Sequence, residues 1–497
     1  MKPLRTLAHT AATLALVTSL CVQGCGQAPS AKTPPQDDWS ELRELPSPEN
    51  YPTRAATERL HDEMLFQRAC QVVLWSLPAM TLWAMKEGSE AQFGEGSHVF
   101  PIWKDRLSSE TLVSTPNSDV IYGMGYLDLK KDGPTVIEVP PRLQGILDDF
   151  WQRPLTDVGF VGPDKGEGGK YLILPPDFEG EAPDGYFIFT SRTYDVFVFW
   201  RAFIEDGDTT VPVALMEKTR IYPLRSQDDP PEMVFPNGTG QPADMLYPMD
   251  YSYFEGLADF VQHEHVGPED WSVRGMMASL GIVKGQPFAP DERMKRILSA
   301  GAEVGMKMAQ ALRFGDKLPD TRYYDDRQWH NVLNVLDVEF KQDSYTDIDA
   351  RVGMFKIGYS ISPAMVMNMV GKGSKYPFAY RDGDGDYLSG GSSYRLRLPP
   401  DVPAANFWSI TLYDAENASG LKNGQPFPSL GSLDDLTYND DGSVDLYFGP
   451  ELPDGAPEGN WLRTVPGRGW FTLLRLYSPT EAFFDKTWRP GDFEKLP

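Results

Sequence analysis

Cysteine is nearly missing from this sequence: three residues in 497, of which Cys21 and Cys25 fall at the extreme N-terminus. A disulfide framework or a cysteine zinc site in the folded body is therefore excluded, and stability must rest on an apolar core. Cys70, in the context FQRACQVVLW, reads as a small buried hydrophobe. Histidine is almost as scarce, with six residues, and basic charge is outnumbered: 46 Lys and Arg stand against 71 Asp and Glu, for a formal net charge of -25. A chain this acidic repels nucleic acid in bulk, and no Lys/Arg cluster offsets that repulsion. Past Cys25 there is no run of the roughly 20 apolar residues that a spanning helix needs. Also missing are a G-x-S-x-G nucleophile elbow and a phosphate-cradling G-x-x-x-x-G-K.

The N-terminus does carry a message. Lys2 and Arg5 precede an apolar stretch at 7–20, and VQGCGQAPS follows with Gly24 directly before Cys25. These are the parts of a signal peptide, and the end resembles the processing box of bacterial lipoproteins, although Gln23 departs from the usual small residue there. Residues 1–24 are expected to be a signal peptide, Cys25 the lipidated first residue, and 25–48, rich in Pro, Ser and charge, a flexible tether. An exported protein of the periplasm or outer membrane follows, with simple secretion as the alternative.

Apolar residues then recur every three to four positions over 53–88, predicting a helix that Pro78 should kink or break. From position 111 short β-rich runs alternate with Pro, Gly and Asp: IYGMGYLDL, TVIEVP, KYLILP, GYFIFT and DVFVFWRAFI. Several are apolar on both faces. A helical block is predicted at 247–266, 269–280, 291–314 and 329–338, with a further Met-rich helix at 361–370. β character returns in SYRLRLP, NFWSITLYD, SVDLYFG and GWFTLLRLYSP. The expected organisation is a helical segment at 49–91, a β domain at 92–225, a mainly helical middle at 226–379 and a second β domain at 380–497. The fold class is mainly β with a helical middle region, each β domain a sandwich or jelly roll.

Chemistry-bearing residues are few. In TPNSDVIYG, Asn117 and Asp119 can cap backbone N–H groups while Tyr122 begins a strand; turn-making and a ligand site at a sandwich mouth both fit. Arg475 and Tyr477 alternate on LLRLYSP, and an arginine on an apolar strand needs a partner, such as Asp414, Asp445 or an anionic ligand. Trp461 offers a ring for stacking or for core filling. The pair His263 and His265 could share a metal only off a helix, because an i,i+2 spacing turns the rings apart. Asp382, Asp384 and Asp386 occupy positions 1, 3 and 5 of a calcium-type loop, but Tyr387 stands where the EF-hand needs Gly and Ser393 where it needs Glu. Calcium is the one cofactor considered; an acidic solvated turn is the default.

Longer stretches resemble a known pairing. TPNSDVIYGMGYLDL, VIEVP and KYLILPPDFEGEAPDGYFIFTSRTYDVFVFWRAFI, then LGIVKGQPFAPDERM, FWSITLYD and the run 441–494 are similar to bacterial proteins that combine the domains of unknown function DUF1254 and DUF1214. The likeness spans about residues 50–497. It places Asn117, Asp119, Tyr122, Gly180, Pro183 and Arg192 at motif positions, with Arg201 supplying a further arginine, while PRLQGILDDFWQ departs from the pattern. The resemblance implies two jelly-roll-like β domains around a helical region and no assigned activity. Two functions stay open. One is a hydrolase or lyase acting on a glycan or other polymer, with Asp119, Asp195 or Asp414 as acid/base groups and Arg475 as charge partner. The other is a non-catalytic binding or assembly protein of the envelope, with Asn117, Tyr122, Arg192, Trp461 and Tyr477 as contacts.

Overall fold

The computed structural model describes residues 39–204, 207–319, 321–333 and 337–497. The expected signal peptide, Cys25 and most of the tether lie outside the described residues. The described residues up to Leu60 belong to one unit and those from His61 to Pro497 to a second, compact one. In the first, Thr53 starts a helix by accepting the Ala56 N–H at 3.2 Å. That helix, Arg54–Phe93, continues past Pro78 as one element, without the break that the proline was expected to be able to cause. The residues around the proline turn are gripped from outside: Arg351 donates to the Trp75 carbonyl at 2.6 Å and Gln152 to the Pro78 carbonyl at 2.7 Å. Buried Leu65, Val73, Leu77, Met80 and Met85 hold the helix in the core. Packing outweighs the local penalty of an internal proline.

Eight strands make the first β region: β1 Val120–Asp128, β2 Thr135–Val139, β3 Gln144–Asp149, β4 Pro154–Val158, β5 Gly169–Leu174, β6 Phe187–Thr190, β7 Asp195–Phe203 and β8 Arg220–Pro223. They form two four-stranded sheets, ordered β1-β7-β3-β4 and β6-β5-β2-β8. Pairing is antiparallel except for β5 with β6. One apolar cluster draws on both sheets, for example Ile121, Val198 and Trp200 from the first and Ile137, Tyr171 and Ile221 from the second. The opposite face of β1 and β7, carrying Tyr122, Met124, Tyr126, Phe197 and Phe199, joins the helical core. Both faces are thus covered, which is why these strands lack polar alternation. Gly123 and Gly125 make room for Phe100, whose ring would lie 2.4 Å from a Cβ at either position.

The middle supplies helices Ser252–His263, Trp271–Ser279, Glu292–Phe314 and Ile348–Phe355. Asp291 caps the longest of them, accepting the Met294 N–H at 2.7 Å. Two expectations are corrected here. Residues 329–333 are not helical: Trp329 is buried, with its indole donating to the Gly491 carbonyl at 2.8 Å, and His330–Asn331 pairs as a strand. Of 361–370 only Pro363–Val366 is helical.

The second β region comprises β9 His330–Asn331, β10 Ser374–Lys375, β11 Pro377–Ala379, β12 Tyr394–Leu398, β13 Trp408–Asp414, β14 Ser429–Gly431, β15 Val444–Gly449, β16 Trp461–Arg463, β17 Trp470–Tyr477 and β18 Glu494–Lys495. A six-stranded sheet runs β14-β13-β17-β11-β9 with β10 beside β17, and a four-stranded one β16-β15-β12-β18. Ile410, Leu412 and Leu474 of the first share a core with Leu396, Leu446 and Leu462 of the second. The architecture is therefore mixed α/β, built from several sheets and covering helices. Among the described residues no helix is long and apolar enough to cross a membrane. Cys70 is free and buried, and burial pushes its thiol up to about 11, so it remains an inert core residue.

Candidate functional site

The motif TPNSDVIYG meets the strand LLRLYSP. Thr115 donates its N–H to the Ala418 carbonyl at 2.7 Å, and Tyr413 its hydroxyl to the Pro116 carbonyl at 2.7 Å. Asn117 donates from Nδ2 to the Tyr477 hydroxyl and accepts the Asp119 N–H on Oδ1 at 2.8 Å. Asp119 in turn accepts from Ser409 and lies 3.5 Å from Arg106. Arg475, only 3% exposed, donates to Thr411 Oγ1 at 2.8 Å and to the carbonyls of Pro116 and Thr115 at 3.2 and 3.3 Å. The Tyr477 ring stacks on Phe407 at 4.0 Å and the Tyr122 ring lies 4.9 Å from Phe199. Asn117, Asp119, Tyr122, Arg475 and Tyr477, singled out in two segments over 350 residues apart, are brought together at the junction of the β regions.

A cavity of about 810 Å³ opens at this junction, within the size range of small-molecule sites. Tyr122, Arg201 and Phe199 line it from the first β region, Tyr376, Leu473 and Arg475 from the second, and the segment 357–373 adds further lining. Arg201 reaches the Tyr376 hydroxyl at 3.5 Å. Burial works against the charge of Arg201 and of Arg475. Both pKa values nonetheless stay above the ordinary arginine value, so both guanidinium groups are charged. Burial drives Tyr122 up, so its hydroxyl stays protonated and can donate.

The remaining candidates lie elsewhere. Asp195, fully buried, is held by Lys86 Nζ at 3.1 Å from both carboxylate oxygens. His263 Nε2 sits 3.3 Å from Asp195 and 3.7 Å from Asp128. Asp128, Asp195 and His263 offer ligand atoms within 4.8 Å of one another and could coordinate a divalent cation, although the Lys86 ammonium already neutralises Asp195. His263 ends its helix at Ser252–His263, and its partners come from β1 and β7, not from His265. Asp414 pairs with half-exposed Arg468 at 2.8 Å. Arg192 pairs with Glu339 at 2.8 Å, which holds that carboxyl down to about 2. Trp461 donates its indole N–H to the Gly449 carbonyl at 3.2 Å. In the acidic loop, Asp382 Oδ1 accepts the N–H groups of Asp384 at 3.1 Å and Asp386 at 2.9 Å, while Asp384 and Asp386 themselves are exposed. Lys86 and Tyr376 carried no signal of their own: one reads as a helix surface residue, the other as a strand aromatic.

The molecule is thus a sheet-and-helix protein with a cavity between paired β regions. The first region matches the family "Protein of unknown function (DUF1254)" over residues 98–223 and the second "Protein of unknown function (DUF1214)" over 373–481. The chain is a DUF1254/DUF1214-domain protein. It shares its fold with the VPA0106 protein from Vibrio parahaemolyticus, at 18% identity and a TM-score of 0.50, over 87% of this chain and all of that one. An uncharacterized protein from Burkholderia cenocepacia matches at 12% identity and a TM-score of 0.40, over 89% of this chain and 96% of that one. No curated protein matches the chain.

Proposed function

We propose that this protein binds a small organic molecule in the cavity between its β regions, outside the cytoplasm and tethered by a lipid on Cys25. The observation that carries the reading is convergence. Both family regions contribute polar side chains, Tyr122 and Arg201 from one and Tyr376 and Arg475 from the other, to a single cavity of about 810 Å³. Binding is favoured over glycan hydrolysis or lysis because such chemistry pairs two carboxylates across the scissile bond. Asp119, Asp195 and Asp414 are each engaged by different partners, and the cavity lining holds one carboxylate, Asp157.

The two sheets sharing one apolar core in each region support a sandwich or jelly-roll reading of each. Calcium at the Asp382–Asp386 loop ranks lower: Asp382 Oδ2 is buried without a partner, but its neighbours face solvent. An unchanged unfolding temperature on adding calcium would remove it. The binding reading is tested by native mass spectrometry of the exported protein, before and after unfolding and refolding. A small molecule carried through purification and lost on refolding is the expected result. Palmitate labelling that disappears in Cys25→Ser tests the anchor.

A further inference from the structure

The chemistry of the cavity wall says what kind of molecule fits. Arg201 on β7 and Arg475 on β17 both open onto it, and among the described residues neither forms an ion pair with a carboxylate; their side-chain hydrogen bonds go to a tyrosine, a threonine and backbone carbonyls. A guanidinium removed from water without an anion bound to it is costly; Arg475 is buried and Arg201 partly so, from the two β regions that line the one cavity. The imbalance extends around the lining, where Arg201, Lys372, Lys375, Arg475 and Lys486 stand against the single carboxylate of Asp157. That carboxylate accepts the Ala364 N–H at 3.0 Å and feels the charge of Arg201 without pairing to it. In a chain with 71 acidic residues against 46 basic ones, such a wall is the reverse of the composition.

The rest of the wall is apolar. Ile146, Val158, Phe199, Phe203, Met354 and Leu473 line the interior. Phe160 and Val370, also on the lining, are 57% and 51% exposed, so apolar surface continues outward into solvent.

Resting on the reading of this cavity as a binding site, we propose that its occupant is an amphipathic anion. A single carboxylate, sulfate or phosphate headgroup is gripped between Arg201 and Arg475, and an alkyl or aryl body lies along the apolar wall toward Phe160 and Val370. The headgroup supplies the counter-charge the protein withholds, and guanidinium forks match the geometry of such oxyanions.

Calorimetric titration of the full chain carrying Cys25→Ser, with decanoate, decyl sulfate, decanol, decyltrimethylammonium and propionate below their micelle concentrations, tests this. Decanoate and decyl sulfate should saturate at one per chain, at least about tenfold tighter than decanol or propionate, and the cation should not compete. Arg201→Gln should weaken decanoate about tenfold and leave decanol unchanged. Decanol binding as tightly as decanoate, or an affinity that Arg201→Gln does not alter, would overturn the anion; propionate matching decanoate would overturn the apolar body. Either result leaves the cavity reading standing, whereas no binding by any probe takes both away. If Arg201→Gln does not fold, the headgroup comparison on the unaltered side chains decides alone.

Discussion

One face of the β1-β7-β3-β4 sheet carries opposite charges at its two ends, and the protein treats them differently. Asp128 lies directly across from Asp195, and Tyr122 across from Arg201, six residues along each strand. At about 3.3 Å per residue the two ends are roughly 20 Å apart on the same face. Two carboxylates opposite each other repel, and the molecule closes that end with the Lys86 ammonium and the His263 ring. At the arginine end neither guanidinium has a carboxylate within ion-pair distance among the described residues, and the end opens into the cavity. A charge that the fold neutralises internally serves structure, and a charge it leaves facing a cavity is available to a ligand.

The largest expected effect comes from stripping the closed end. Lys86→Met leaves Asp195 buried without its cation and should cost about 3–5 kcal/mol, read as a lower denaturant midpoint; an unmoved midpoint would mean the closed end needs no closing. Tyr477→Phe removes the acceptor of the Asn117 amide where the β regions meet, for an expected loss of about 1–3 kcal/mol by the same measurement.

A pH series probes the acidic end. Burial pushes Glu90, close to Lys86 and Asp195, up to about 7 from 4.5. The folded chain then keeps a proton that the unfolded chain has lost, so this group's contribution falls as pH rises between those values and stays low above them. His330, lowered by burial to about 4 from 6.5, acts in the opposite sense below 6.5. Comparing the unaltered protein with Glu90→Gln over about pH 5 to 8 isolates the first contribution; stability should fall more with rising pH in the unaltered protein. Parallel curves would place Glu90 outside the cluster.

At the open end, Arg201→Met should change the stability of the ligand-free protein by no more than about 1 kcal/mol, or raise it, because no ion pair is lost and its one side-chain hydrogen bond, to Tyr376, is long at 3.5 Å. A loss comparable to that of Lys86→Met would erase the distinction between the two ends. The smallest effect is expected from Asp414→Asn, whose partner Arg468 is half exposed: under about 1 kcal/mol, and less in high salt.

Much of this was legible in the sequence. The two β regions and the helices of the middle follow from periodicity and turn residues, and the longest middle helix, Glu292–Phe314, falls within the predicted 291–314. The motif at 115–122 and the strand holding Arg475 and Tyr477 stood out because polar groups on apolar segments must find partners. Local pattern misled where tertiary packing outweighed propensity, as at Pro78 inside its helix and at 329–333, where a buried Trp329 anchors extended chain.

Composition and family membership are properties of the chain as a string, and so the sequence determined them alone. Partnership is not such a property. Lys86, Asp128, Asp195 and His263 come from four separated segments, and Arg201, Tyr376 and Arg475 from three. Only the strand register and the docking of one β region on the other decided which charges meet and which face open space, because ion pairing and burial depend on distances of a few ångströms that no local pattern encodes.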